Sequence, residues 1–129
     1  MAEPVKILVL HGGTSEEREV SLASGRAVAA ALGGKHRVEL VRLDEEALPE
    51  GIQLSDTLIF PALHGRFGED GRLQSLLEAA GIEYCGSDAA ASRLCMDKVV
   101  AKEVARGAAV PTPDWIAFEA REKPLADDV

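Results

Sequence analysis

Apolar positions in this chain switch between two periods, and the switches mark its elements. Val5 to His11 (VKILVLH) is an apolar run broken only by Lys6. A strand buried on both faces reads this way, as in a parallel sheet covered by helices. After Gly12-Gly13 the spacing turns helical: Val20, Ala23, Ala27, Val28, Ala31 and Leu32 recur on one face, and Gly33-Gly34 stands where a C-cap belongs. His36 to Leu43 (HRVELVRL) alternates, as a strand with one more exposed face does. Thr57 to Leu63 (TLIFPAL) is a second buried run, and Pro61 puts its end close by. Asp70 predicts an N-cap for a helix with Leu73, Leu76, Leu77 and Ala80 on one face, stopping at Gly81. A short strand at Ile82–Cys85, a small-residue helix at Ser87–Leu94 and a helix from Asp97 to Gly107 complete the pattern. This succession predicts an α/β fold with a mainly parallel sheet. Beyond Val110-Pro111-Thr112-Pro113, Asp114 to Phe118 (DWIAF) predicts a further strand across a proline-bracketed linker. The charged tail to Val129 is too short to complete a second domain, so the chain reads as cut off just inside one.

Length and composition narrow the classes. With 129 residues the chain has about one domain's worth of sequence and enough for a real core. A composition 47% hydrophobic and 28% charged excludes collagen-like, disulfide-scaffold and mostly disordered readings. The net charge of −8 argues against non-specific nucleic-acid binding, though not against a local basic pocket for a phosphorylated ligand. Aromatics at 4% argue against stacking platforms for single strands. Cys85 and Cys95 lie among apolar or small residues and read as reduced packing thiols. With no signal-like N-terminus and no run long enough to span a membrane, a cytoplasmic protein is expected.

In open α/β sheets the ligand crevice lies beyond the carboxyl ends of the strands, which singles out two stretches here. The first is His11-Gly12-Gly13-Thr14-Ser15-Glu16-Glu17. Gly12-Gly13 permits either a plain tight turn or a close backbone approach to a ligand, with a helix start offering N–H groups to an anion. It has neither a dinucleotide fingerprint nor a P-loop lysine. Thr14 to Glu17 fits a capping box, with Thr14 as N-cap, so Glu17 reads either as a cap or as a ligand carboxylate. The second stretch is Leu63-His64-Gly65-Arg66-Phe67-Gly68-Glu69-Asp70-Gly71. His64 there is either a donor oriented by Glu69 and Asp70 or a histidine satisfying loop carbonyls. Lys98, beside Asp97 at a helix start, is either solvated or placed for an anion. No zinc spacing and no G-x-S-x-G elbow is present.

Taken together, several of these motifs resemble one family. HGGTSEEREVSL over 11–22 is similar to the N-terminal signature of D-alanine–D-alanine ligases. Ala62-Leu63-His64-Gly65 with Gly68-Glu69-Asp70-Gly71 resembles their second signature. Leu73-Gln74, Tyr84-Cys85-Gly86-Ser87 and Cys95-Met96-Asp97-Lys98 follow in order and spacing. His11 departs mildly from the family's usual Leu-Gly-Gly start. The resemblance runs to about Pro113. It implies an ATP-grasp ligase with a Rossmann-like, three-layer N-terminal domain over 1–110, followed by a linker and the start of the ATP-grasp domain over 111–129. In such ligases ATP phosphorylates the carboxylate of one D-alanine, and the amine of a second attacks the acyl phosphate. The dipeptide serves peptidoglycan synthesis and so cell-wall biogenesis and cell shape.

By the same resemblance, Glu17 would hold the ammonium of the first D-alanine, with Val20 and Ser21 in the same substrate-side segment. His64, steadied by Glu69, would donate toward developing negative charge, which makes Glu17 and His64 the catalytic pair. Lys98 would meet an ATP phosphate, and Gly12 and Gly13 would support the loop. ATP and Mg²⁺ would be bound mainly by regions outside this chain, with no metal ligand within it. This stretch by itself is expected to be inactive. The resemblance also implies D-alanine and ATP as partners, no nucleic acid or membrane, and a homodimer for the complete enzyme. A D-alanine–D-lactate or other ATP-grasp ligase, or a non-catalytic small-ligand-binding α/β module, fits the same residues.

Overall fold

β1 (Lys6–Gly12) runs up the middle of a three-stranded parallel sheet, with β2 (Arg37–Leu43) on one side and β3 (Thr57–Pro61) on the other. The structure, a computed structural model, describes residues 3–52 and 56–119. Val9 stands opposite Leu40 in β2 and Phe60 in β3. Side chains alternate across a strand, so β1 supplies two cores at once. Ile7 and Val9 face α1 (Arg18–Leu32) and pack with Val28, Ala29, Leu32 and Ala62. Leu8 and Leu10 face the other way, with Leu43, Ile59, Leu63 and Phe67, and meet Leu73 and Leu77 of α2 (Arg72–Ala79). The unbroken apolar run of β1 therefore reflects helices on both faces, and the three-layer α/β expectation is met. β2 lies at the sheet's edge, where most of its residues are exposed.

Small residues let α1 approach the sheet closely. Its two buried residues are Ser21 and Gly25, one turn apart. A Cβ on Gly25 would lie 2.4 Å from that of His11, so only glycine lets the helix cross there.

Several expectations need correction in detail. Ile82–Cys85 forms no strand: Tyr84 makes a single parallel bridge to Ile59. Only two hydrogen bonds support it, Ile59 N–H to the Glu83 carbonyl and Cys85 N–H to the Ile59 carbonyl, before the chain turns away at Gly86. Gly71, with φ of 87°, is the N-cap of α2 rather than Asp70. The Asp70 carboxylate still accepts the Arg72 N–H from one residue further out. The next helix, α3, runs Ala89–Met96 and buries only Ala89. Cys95 is accordingly exposed while Cys85 is half-buried, so Cys95 is not a core thiol.

The chain divides into two compact units, Met1–Met96 and Asp97–Val129. The second is built on α4 (Lys98–Gly107). Asp97 caps it as expected, its carboxylate accepting from the Val99 and Val100 N–H groups. Asp114–Phe118 forms no strand among the described residues. Instead the Trp115 ring packs under the Arg106 guanidinium, 4.1 Å from its centroid, with the Lys102 ammonium at 5.3 Å. Lys102 Nζ also donates to Thr112 Oγ1 and the Pro113 carbonyl. A strand needs a neighbour for its ladder, whereas this segment is held by cations on its own helix. Residues 120–129 lie outside the described residues. No described helix is long and apolar enough to cross a membrane.

Candidate active site

The chain leaving β1 turns into α1 on one face of the sheet, and the chain leaving β3 runs to α2 on the other. Adjacent parallel strands whose connections part this way open a crevice at their carboxyl ends. Both glycine-rich loops lie at that point.

Serine hydroxyls tie the two loops together. Ser21 Oγ accepts from the Gly12 N–H at 2.9 Å and donates to the Ala62 carbonyl at 2.7 Å, joining the ends of both strands inside the protein. Ser15 Oγ donates to the His64 carbonyl at 2.8 Å and accepts from the Glu17 N–H. Gly12 turns with φ of 90°, and a Cβ there would sit 2.9 Å from the Leu43 carbonyl oxygen. Gly13 N–H donates to that same carbonyl.

The capping box is not formed. Arg18 N–H bonds the Ser15 carbonyl in an extra turn, so the helix starts at Arg18 and Glu17 itself occupies the N-cap position without a side-chain cap. Thr14 Oγ1 instead donates to Glu46 Oε1 at 3.3 Å. Released from the cap, the Glu17 carboxylate reaches across to the second loop: a Cβ on Gly65 would lie 2.6 Å from Glu17 Oε2.

His64 precedes Gly65 on the same loop. Its Nδ1 is 3.6 Å from Glu69 Oε1, and its Nε2 is 2.8 Å from Ser24 Oγ. Glu69 Oε2 accepts from the Gly65 N–H at 2.8 Å, so one carboxylate braces the loop and flanks the ring. Asp70 does not share that task. Its carboxylate accepts from the Phe67 and Arg72 N–H groups and from Arg72 Nε. Partial burial works against its ionisation, but these donors prevail and hold its carboxyl below the usual range. At the outer edge Arg18 reaches the Gly13 and Leu43 carbonyls and pairs with Asp44, whose carboxyl it holds down with help from Arg42.

The structure thus brings Glu17, Ser21, His64, Glu69, Gly12 and Gly13 together. Val20 lies on the same first turn of α1 and is 57% exposed, whereas Ser21 is fully buried. Lys98 is the exposed first residue of α4, in the second unit. Three further residues belong to the site. Ser15 joins the loops, Ser24 meets the His64 ring, and buried Gln74 donates to the Gly68 carbonyl at 2.9 Å. Ser24 stands seven residues after Glu17, on the same helical face, and that spacing is a signal the sequence offers. A cleft of about 480 Å³ adjoins His64 and Glu69, lined also by Leu63, Gln74, Cys85 and Cys95. Among the described residues no group of three or more His, Cys, Asp or Glu side chains is placed to hold a metal ion.

The chain is similar to proteins of one kind. The model of the D-ala D-ala ligase N-terminus family matches residues 49–87, which contain the His64 loop and α2. The D-alanine–D-alanine ligase of Moorella thermoacetica is 46% identical over 119 residues, 92% of this chain and 38% of that protein. The ligase of Aquifex aeolicus is 44% identical over 115 residues, 88% of this chain and 40% of that protein. Among solved structures, the Bacillus anthracis D-alanine–D-alanine ligase complexed with ATP superimposes with a TM-score of 0.80 at 34% identity, covering 98% of this chain and 42% of that one. The Aeromonas hydrophila ligase gives 0.76 at 29% identity, over 93% of this chain and 52% of that one. The chain spans about two fifths of the length of the curated relatives it matches. Over that span the chain is similar, in sequence and in fold, to the N-terminal part of D-alanine–D-alanine ligases.

Proposed function

We propose that this chain is the substrate-binding part of an ATP-dependent D-alanine–D-alanine ligase. In this reading residues 1–110 form its N-terminal domain, and 111–129 form the linker and start of the ATP-grasp domain. The observation that carries the proposal is the approach of the Glu17 carboxylate to Gly65, the residue after His64, whose ring is flanked by Glu69, on two loops joined by serine hydroxyls. Glu17, free of a capping role, takes the ammonium of the first D-alanine. Its charge matters because a hydrogen bond between ions is stronger than a neutral one. His64, on the loop that the Glu17 carboxylate reaches, donates toward the reacting carboxyl group as negative charge builds on it. Val20 is the open side chain of this segment. Ser21, sealed inside, acts by holding both strand ends in place.

ATP supplies the phosphoryl group that turns the first carboxylate into an acyl phosphate. The second amine then forms the amide bond and phosphate leaves. Lys98, exposed at the start of a capped helix, suits a phosphate, which also relieves a cation's mismatch with the helix dipole. The donor set offers Mg²⁺ no cluster of carboxylates among the described residues, so no step is assigned to the metal here. The intact ligase works as a homodimer in the cytoplasm, with D-alanine and ATP as its partners.

The test is D-alanine-dependent ADP formation by the intact ligase, with and without Glu17→Gln. The variant should melt within about 0.5 kcal/mol of the parent, the scale of a lost dipole interaction. It should also raise the first-site KM for D-alanine about tenfold or more, roughly 1.5–3 kcal/mol for a bond to a charged group. Unchanged D-alanine kinetics, or no D-alanine-dependent turnover in the parent, would overturn the proposal.

A further inference from the structure

His64 is held by more than its carboxylate neighbour. Ser24 Oγ lies 2.8 Å from His64 Nε2 and 2.7 Å from the Val20 carbonyl, four residues back on α1. A serine hydroxyl has one proton to donate and lone pairs to accept with. A carbonyl oxygen can only accept, so the Ser24 proton points to Val20, and the oxygen offers the imidazole a lone pair. The ring must then carry its hydrogen on Nε2. On the opposite edge Nδ1 stands 3.6 Å from Glu69 Oε1, beyond the distance of a made hydrogen bond. Ser24 therefore makes the short bond that orients the ring, and Glu69 is the longer-range neighbour.

We infer that Ser24 is a positioning residue for His64: it accepts from Nε2–H, fixes that tautomer and the plane of the ring, and so holds the single imidazole N–H in place until a substrate oxygen replaces the Ser24 hydroxyl as its acceptor. This rests on the donor role given to His64 in the proposed function. Its consequence for the sequence is that one helical face serves two ends of the site. Glu17 stands at the N-cap, Val20 follows on the first turn, and Ser24 lies seven residues after Glu17, so a single helix carries both the carboxylate and the hydroxyl that meets the imidazole. The hydroxyl reaches His64 because its own hydrogen is committed within the helix, and a longer polar side chain with two donors could not hold the same tautomer.

The experiment is long-range ¹H–¹⁵N spectroscopy of the protein labelled at histidine, at a pH where the imidazoles are neutral. His64→Gln identifies the His64 signals among those of His11, His36 and His64. The parent should show His64 as the Nε2–H tautomer with a directly visible ring N–H. In Ser24→Ala that proton should exchange with water at least tenfold faster, and population should move toward Nδ1–H, facing Glu69. Ser24→Thr, which keeps the hydroxyl, should restore the parent spectrum. Should the alanine variant fail to fold, Ser24→Cys, a weak acceptor of similar size, must show the same loss. A parent that carries its hydrogen on Nδ1, or a Ser24→Ala spectrum equal to the parent's, overturns the inference. Because the measurement reads the ring and not turnover, it separates the two readings. A parent-like ring in Ser24→Ala alongside D-alanine-dependent ADP formation defeats only the role of Ser24. A displaced ring without any such turnover defeats only the ligase reading.

Discussion

The two glycine-rich loops at the sheet's carboxyl end look alike in sequence and are held in opposite ways. The loop after β1 is braced from outside itself. Its N–H and carbonyl groups are met by Ser21 and Arg18 of α1 and by the Leu43 carbonyl of β2. The loop after β3 is braced mostly by its own carboxylates and by the helix that follows. Glu69 takes the Gly65 N–H, Asp70 takes those of Phe67 and Arg72, and Gln74 takes the Gly68 carbonyl. The first arrangement leaves its acidic side chain, Glu17, outside the bracing. The second binds its acidic side chains into the backbone and leaves its imidazole at the crevice. Carboxylates on two similar loops can thus be tied into the backbone in one and left outside the bracing in the other.

His64→Gln breaks the comparison at its most chemical point. In the intact ligase it should lower kcat on the order of 10²-fold with little change in the KM for D-alanine, as loss of one donor to a developing charge does. Steady-state ADP release reads this, and an effect confined to KM would reassign His64 to ground-state binding.

Gly65→Ala strikes the place where the loops meet. A side chain at φ of 70° costs about 1–2 kcal/mol, and its Cβ would displace the Glu17 carboxylate. The melting temperature should fall by several degrees, and in the intact ligase the KM for D-alanine should rise as it does for Glu17→Gln. Loss of stability with normal D-alanine binding would separate Gly65 from the site.

Asp70→Asn sharpens the contrast in pH. The Asp70 carboxyl titrates below the usual range in the folded protein, so its charge stabilises the fold above the unfolded-state value near 3.8. That contribution disappears as pH falls through the lower folded value. The parent should therefore keep this contribution from pH 7 down to about 4 and lose it as the pH falls further. Asp70→Asn should start lower by about 0.5–1 kcal/mol and decline less steeply below pH 4. Equal slopes in parallel thermal melts would show that Asp70 contributes nothing through its charge.

Much of this arrangement is legible in the sequence, for identifiable reasons. The all-apolar β1 and the small-residue face of α1 report burial on both sides directly, because period and residue size follow from packing alone. The helix over Lys98–Gly107 is announced by Asp97, whose cap depends only on its neighbours. What fails are inferences that depend on a partner far along the chain. Thr14 and Glu17 match a capping box, but Glu46 takes the Thr14 hydroxyl and Gly65 makes room for the Glu17 carboxylate. Ile82–Cys85 has strand composition, and its only ladder contact is Ile59. Of the site itself, Glu17, His64 and Glu69 stand out as carboxylates and a histidine at strand ends. Ser15, Ser24 and Gln74 do not, because a serine or glutamine gains its role only from the geometry of the group it meets.

The Ser21 hydroxyl has a mechanical consequence. It is one oxygen atom fastening two adjacent strands at the root of the crevice, a donor to one and an acceptor from the other. A calliper pinned at its hinge can open only at its tips. The Ala62 N–H to Leu10 carbonyl bond lies next to it, so the base of the crevice has a fixed width, and the spacing of Glu17 and His64 is set by the loops beyond that point.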